Sequence, residues 1–508
     1  TYGSTDSRYE LNTHFNKKIS DKWSSSLFIH GNTRIAKYDM NNDGFLDNPL
    51  AKQINILNRW QYTNAQKGWV SFVNFRYMND KKQTGQLGFV PNRDRLTTNF
   101  WGSEINTERV DVSTKVGYVF PEMPFQSIGF QNAYNSHNQE SYFGLNQYNI
   151  KQKSYYSNLI FNSIIENTMN KFSTGFNFAY DNYGEFVNLK DYSRTDNSIG
   201  TFFEYTYDNT SNFSVILGGR VDNHNRLGTF FTPRLHIRYN PWEKGVIRFS
   251  AGRGIRSANI FAENQQLFGS SRTFEILNSN GKIYGLNPEI AWNYGLSFSQ
   301  KFLLFNKNGD IGFDFYRTDF QNQVVVDLYQ GPQKVLFYNL NGKSFANSLQ
   351  FEFNYELAKH FNLRTAYKYY DIQTDYQYVT QERPLQAKHR FFGNLEYQTH
   401  LLDDGKQWKF DFTINWLGKQ RLPTTISNSA IDSMPDYSPS FSVMNMQISR
   451  IFSSTFEIYV GGENIGNYKQ EKAILGSSNP FGSNFETSII YAPIFGQMYY
   501  AGLRYKIK

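Results

Sequence analysis

Alternation with period two runs through most of the chain. In WKFDFTINW, Trp408, Phe410, Phe412, Ile414 and Trp416 alternate without error with Lys409, Asp411, Thr413 and Asn415. One face is wholly apolar and begins and ends in Trp, the way an aromatic girdle marks both edges of a bilayer. Nine residues at about 3.3 Å each, tilted by about 40°, climb roughly 20 Å, close to the apolar band of a membrane β-barrel. YYAGLRYKIK repeats the design, with Tyr499, Ala501, Leu503, Tyr505 and Ile507 on one face and Tyr500, Gly502, Arg504 and Lys506 on the other. In DIGFDFYRTDF, Ile311, Phe313 and Phe315 oppose Asp310, Gly312 and Asp314. Two carboxylates on one strand face would ruin a dry core, but they suit a wet or plugged lumen.

Connection lengths alternate. Short turns fall at KKISDKW, NAQKG, PEMP, ENTMN, NTS, NPWEKG, NKNG, AKHF, DDGK and SST. Longer polar connections lie between them, for instance at 36–53, 79–104, 139–150, 184–195, 258–288, 419–438 and 469–496. Short periplasmic turns and long outer loops are the asymmetry expected of an outer-membrane barrel. The expectation is an all-β transmembrane antiparallel β-barrel with about 21 strands in this chain, the first spanning about residues 7–17. Single-chain bacterial barrels close with an even number of strands. One strand of 22 is therefore expected to be missing at the amino end.

Composition sharpens this picture. The 508 residues include 46 Phe and 36 Tyr, yet mean hydropathy is −0.59. A barrel reconciles the two, because aromatics face lipid while every second residue faces water. No apolar run of about 18 residues is present to make a membrane helix. Cysteine is absent, which fits either avoidance or passage through an oxidising periplasm. The opening TYGSTDSRYE carries no signal peptide, so a mature chain or the interior of a longer precursor is expected. Net charge is +8, but Lys and Arg are dispersed rather than clustered, which argues against nucleic acid. Lipopolysaccharide or an anionic lumen ligand accounts for the charge better.

Three segments carry a family resemblance. FTPRLHIRYNPWEKGVIRFSAGRGIRSANIFAENQQL (231–267), YVGGENIGNYKQ (459–470) and YAPIFGQMYYAGLRYKIK (491–508), in this order, resemble TonB-dependent outer-membrane receptors of the Bacteroidetes type. The resemblance implies a 22-strand barrel in the bacterial outer membrane that imports a scarce nutrient complex with energy delivered by TonB. The cargo would be a ferric siderophore, haem or cobalamin. Residues 1–508 would be the barrel domain, with the plug that carries the TonB box, and the first strand, outside this chain. A barrel lacking a strand would expose unpaired edges in lipid at several kcal/mol per unsatisfied group, so the chain is not expected to exist alone. The other reading is a barrel that serves as scaffold or partner subunit of a larger outer-membrane assembly, with a surface lipoprotein among its possible partners.

YDMNNDGFLDNPL (38–50) stands apart from the strands. On an EF-hand frame, Asp39, Asn41 and Asp43 take positions 1, 3 and 5, Gly44 the sharp turn, Phe45 the carbonyl position and Asp47 position 9. Leu50 stands where a bidentate Glu is required and no helix flanks the loop, so it is not an EF-hand. The hard oxygen donors favour calcium. Against this stands an Asx-rich turn with no ion.

Other motifs weigh less. The eight His show no pair at ligand spacing in the sequence. Met444 and Met446 share a strand face with Ile448, which favours lipid over copper. GRGIRS (252–257) lacks the context of a phosphate loop. No G-x-S-x-G, H-E-x-x-H or Cys nucleophile is present, so no catalytic role is expected. Within the longest loops, Arg93, Arg95, Trp101, Arg256, Gln265, Phe268 and Arg272 are the expected ligand contacts. Binding of lipopolysaccharide phosphates would use the same residues.

Overall fold

In the computed structural model, which describes residues 1–277, 280–377, 379–425, 428 and 432–507, the alternating segments pair into one antiparallel sheet closed on itself. Twenty-two strands form the wall among the described residues. They are Tyr2–Ser4, Arg8–Lys18, Trp23–Arg34, Leu50–Asn64, Trp69–Gly85, Gly102–Val119, Ser127–Phe143, Asn146–Ile165, Asn167–Val187, Arg194–Asp208, Phe213–His224, Gly228–Tyr239, Gly245–Arg256, Glu289–Leu304, Lys307–Asn322, Ser344–Ala358, Phe361–Asp375, His389–Gln398, Gln407–Leu417, Phe441–Ser453, Phe456–Glu463 and Met498–Tyr505.

Register assigns the two faces. Phe412 stands opposite Leu395 and Met446, whereas Asp411 stands opposite Glu396 and Gln447. One face is thus continuous hydrocarbon and the other continuous polarity, and only a wet lumen tolerates the second. Met444 and Met446 fall on the hydrocarbon side, as expected. Trp23 with Tyr62, at 5.1 Å, and Trp69 with Tyr118, at 4.8 Å, form an aromatic rim at the short-turn end. Towards the loop end Tyr134, Tyr155 and Tyr180 stand side by side on the same face. Such rings settle at headgroup level, where one edge is apolar and the other wet.

The ten short turns fall where the sequence places them. The twenty-second strand is Tyr2–Ser4, three residues, too short to show a period. It pairs with Tyr9 and Glu10 on one side and with Tyr500, Ala501 and Gly502 on the other. Leu11–Lys18 continues the ladder with the neighbouring strand Trp23–Arg34.

Two expected loops are strand instead. Residues 139–150 form a hairpin turning on Gly144 and Leu145, between strands of 17 and 20 residues. Gly144 has φ of +60°, and a Cβ there would run into the Trp101 indole. Residues 184–195 continue the next hairpin, turning at Asn188 and Leu189. About ten residues suffice to cross a bilayer, so these hairpins rise well above it. Their polar outward faces read as loop in the sequence because only the lower half alternates against lipid.

Candidate functional site

The main apolar core lies among the loops at the long-loop end. Phe45, Trp101, Ile260, Phe261, Leu267, Phe268, Val335, Phe337 and Phe485 are buried together there with Phe143 and Tyr148 of the tall hairpin. They come from connections 35–49, 86–101, 257–288, 323–343 and 464–497. Each loop alone has too little apolar surface to fold around; pooled, they make a canopy. Phe485 lies 5.7 Å from Phe45 and 5.1 Å from Trp101, and Phe268 lies 4.6 Å from Phe274. A small sheet stiffens it. Lys334–Asn339 pairs in parallel with Thr273–Ile276 and antiparallel with Val324–Asp327.

Two arginines tie the canopy. Arg272 is buried and donates from Nε to Glu486 Oε2 at 2.6 Å and from Nη1 to the carbonyls of Gly331 and Lys334, both at 3.1 Å. One guanidinium thus joins three loops. Arg194, on the wall, donates to Glu185 at 3.1 Å and Asp196 at 3.0 Å. The ring centroids of Tyr183 and Tyr284 lie 4.0 and 4.9 Å from it. Asn259 and Tyr284 both accept from Arg194, which fastens loop 257–288 to the wall. Burial beside the Glu185 carboxylate pushes the Tyr284 phenol well above its ordinary range.

The expected ligand residues divide. Trp101, Phe268 and Arg272 meet in the canopy core. Gln265 accepts from Gln139 on the wall at 3.1 Å. Arg256 is held by Glu263 at 2.9 Å and Glu289 at 2.6 Å. Arg93 pairs with Asp94 at 2.8 Å, holding that carboxyl below its usual range, and lies over Phe100. Arg95 lies over Tyr142. Four of the seven therefore act first as struts or surface caps. A cavity of about 720 Å³ opens between the hairpin tips and the canopy, lined by Trp101, Lys190, Tyr192, Arg272, Phe274 and Phe481 among others. Such a volume lies within the range of small-molecule sites.

Lys190, Tyr192, Phe481, Glu486, Glu185 and Arg194 were not foreseen. A faint signal exists for one of them: SSRTFEIL and NFETSII each set charge amid apolar residues, which asks for a buried partner.

The Asp-rich loop folds as a tight turn. The amides of Asp43 and Gly44 donate to Asp39, that of Phe45 to Asp43, and that of Met40 to Asp47. Gly44 has φ of +85°, which supplies the bend. Among the described residues no three carboxylates or imidazoles converge as a metal site. Asp47 Oδ1 is nonetheless buried with no hydrogen-bond partner. Burial, with Asp39 and Asp43 adding, pushes the Asp47 carboxyl up to about 6, and burial also raises Asp43. At the other end of the barrel, His360 and His400 come together with ring centroids 6.2 Å apart, a pairing the sequence does not show.

The family model described as TonB dependent receptor-like, beta-barrel, matches residues 1–465. No curated protein sequence matches the chain. Among solved structures, a mutant of the ferric enterobactin receptor PfeA from Pseudomonas aeruginosa is similar with a TM-score of 0.72 at 12% identity, over 99% of this chain and 79% of that one. The siderophore receptor PirA from Acinetobacter baumannii gives 0.70 at 14% identity, over 99% and 79%. The siderophore receptor PiuA from the same organism gives 0.68 at 12%, over 99% and 80%. At these identities the likenesses show the fold, while the family model spans most of the sequence. The chain belongs to the β-barrel family of TonB-dependent receptors, and is a receptor of the bacterial outer membrane rather than an enzyme.

Proposed function

We propose that the barrel imports a metal chelate of the ferric siderophore class, captured by the outer canopy and drawn inward with energy from TonB through a plug domain. The observation that carries this reading is the 720 Å³ cavity in the canopy, walled by Trp101, Tyr192, Phe274 and Phe481 and flanked by Lys190 and Arg272. Aromatic walls beside cations suit a bulky, anionic, ring-bearing ligand. A tris-catecholate iron complex has that chemistry, and siderophore receptors share the fold. Haem and cobalamin are the competing cargoes. Ferric enterobactin, haem and cobalamin titrated into the purified chain decide among them. Saturable quenching of tryptophan fluorescence by ferric enterobactin, weakened in Trp101→Phe, supports the reading; quenching by cobalamin or haem alone replaces the cargo.

Loop 38–50 is proposed to take a calcium ion through Asp39, Asn41, Asp43, Asp47 and the Phe45 carbonyl. The unpartnered Asp47 Oδ1 and the raised carboxyls support a cation there. The ion would neutralise the three carboxylates and stiffen the loop at the canopy edge. Calcium that leaves the thermal stability of the canopy unchanged in wild type and in Asp47→Asn alike removes this proposal.

One observation favours a partner protein as well. Leu145 and Leu189, at adjacent hairpin tips, are 53% and 90% exposed to water, and apolar tips of this kind mark association surfaces. A surface lipoprotein or another outer-membrane subunit would cover them. On the outward wall, Lys52 stands opposite Lys81 above the aliphatic belt, a place for lipopolysaccharide phosphate.

A further inference from the structure

The lumen wall holds one arrangement that the fold does not need. Arg238 and Arg248 face each other directly on adjacent strands. Their row continues through Ser214 on one side and Ser297 on the other, on the lumen face. One residue along, Ile237 pairs with Phe249 towards lipid. Like charges directly opposite on a sheet repel, so the pair is a cost unless something offsets it.

Other lumen arginines carry their own counter-charge. Arg109 holds Asp111 at 2.8 Å, Arg220 holds Asp222 at 2.7 Å, and Arg504 holds Glu457 at 2.7 Å. Arg59 and Arg390 lie over the rings of Phe72 and Tyr370. Among the described residues, Arg238 and Arg248 have neither an acid nor a ring. Along the row the carboxylates are two strands away and engaged, Asp314 with the Ser297 hydroxyl and Asp208 with the Thr210 amide, and Glu243, in the turn that joins the two strands, is exposed at its tip. A wall cavity of about 510 Å³ spans the pair, with Ser214, His236 and Ser250 in its lining as further polar groups.

Two exposed arginines directly opposite on the lumen face, with hydroxyls and an imidazole lining the same cavity, offer the kind of donors that carboxylate and phosphate oxygens accept. We propose that Arg238 and Arg248 form an oxyanion site in the lumen wall near the short-turn mouth, which takes a carboxylate or phosphate group of an anionic ligand passing through the barrel. The assignment of the occupant rests on the import reading; the site itself does not.

Inorganic phosphate titrated calorimetrically into the full chain in detergent micelles at low salt tests it. One saturable site is expected. Arg238→Gln and Arg248→Gln each weaken it by about tenfold or more, the loss expected for one charge-assisted pair. Arg59→Gln leaves it unchanged. Arg238→Glu, which sets a carboxylate opposite Arg248, abolishes binding while the barrel stays folded by heat-modifiable gel migration. Equal phosphate affinity in wild type and both Gln variants, or no saturable binding at all, overturns the site. If binding is lost but energised uptake of ferric enterobactin is unchanged, the passing-ligand assignment is overturned, and a carboxylate of another polypeptide segment is the occupant. If wild type imports no ferric enterobactin, the import reading fails while the phosphate titration still decides the site.

Discussion

Arg272 and Glu486 lie 214 residues apart in the chain and meet at 2.6 Å inside the canopy, with side-chain exposures of 1% and 5%. With the Gly331 and Lys334 carbonyls on the same guanidinium, their contact ties three connections into one structure. Glu486→Ala strands a buried guanidinium at an expected cost of about 3–5 kcal/mol. That cost falls on the loops and leaves the hydrogen-bonded wall intact. Limited proteolysis is expected to open 464–497 and 257–288 in the variant while the heat-resistant barrel band persists. Protection equal to wild type would show that the canopy does not depend on the pair.

Tyr284 tethers loop 257–288 to the wall through Arg194 and Glu185. Tyr284→Phe removes the hydroxyl and leaves both charged partners short of one bond, for roughly 1–3 kcal/mol. Faster amide exchange confined to 257–288, with no change across Asn167–Val187, is the expected pattern.

Loop 38–50 is predicted to respond to pH through Asp47. Its carboxyl titrates at about 6 in the folded loop, against about 4 in an unfolded chain. The folded loop therefore binds the extra proton between those values. Loop stability is unpenalised below the lower value and falls as pH rises through the window. Without calcium, amide exchange corrected for intrinsic rate should be slower in this loop at pH 5 than at pH 7. Calcium at pH 7 should restore the slower rate, and its affinity should fall as pH drops through about 6.

These residues also show why the sequence is legible in places and silent in others. WKFDFTINW declares its faces because lipid and water impose period two on neighbours. NAQKG and NPWEKG declare turns because the bend is local. Nothing local links Arg272 to Glu486, whose encounter depends on loops gathered by the closed wall, or His360 to His400, which meet only once Phe361–Asp375 pairs with His389–Gln398. The tall hairpins beyond Tyr134 and Tyr155 have water rather than lipid outside and the canopy inside, so their strands do not keep the lipid-against-water alternation and read as loops. Tyr2–Ser4 has too few residues to alternate. Trp101, Phe268 and Arg272 stand out in the sequence because long aromatic loops are rarely idle, yet their burial could not be foreseen without Phe45, Phe337 and Phe485 from loops far along the chain.

Energised import is the role proposed for this barrel. Its most direct test is uptake of radiolabelled ferric enterobactin by cells that lack other siderophore receptors and express the full receptor, with and without an uncoupler of the proton gradient. Saturable uptake that the uncoupler abolishes and that Trp101→Phe reduces is expected. Uptake indifferent to the uncoupler, or none above cells without the receptor, would contradict it.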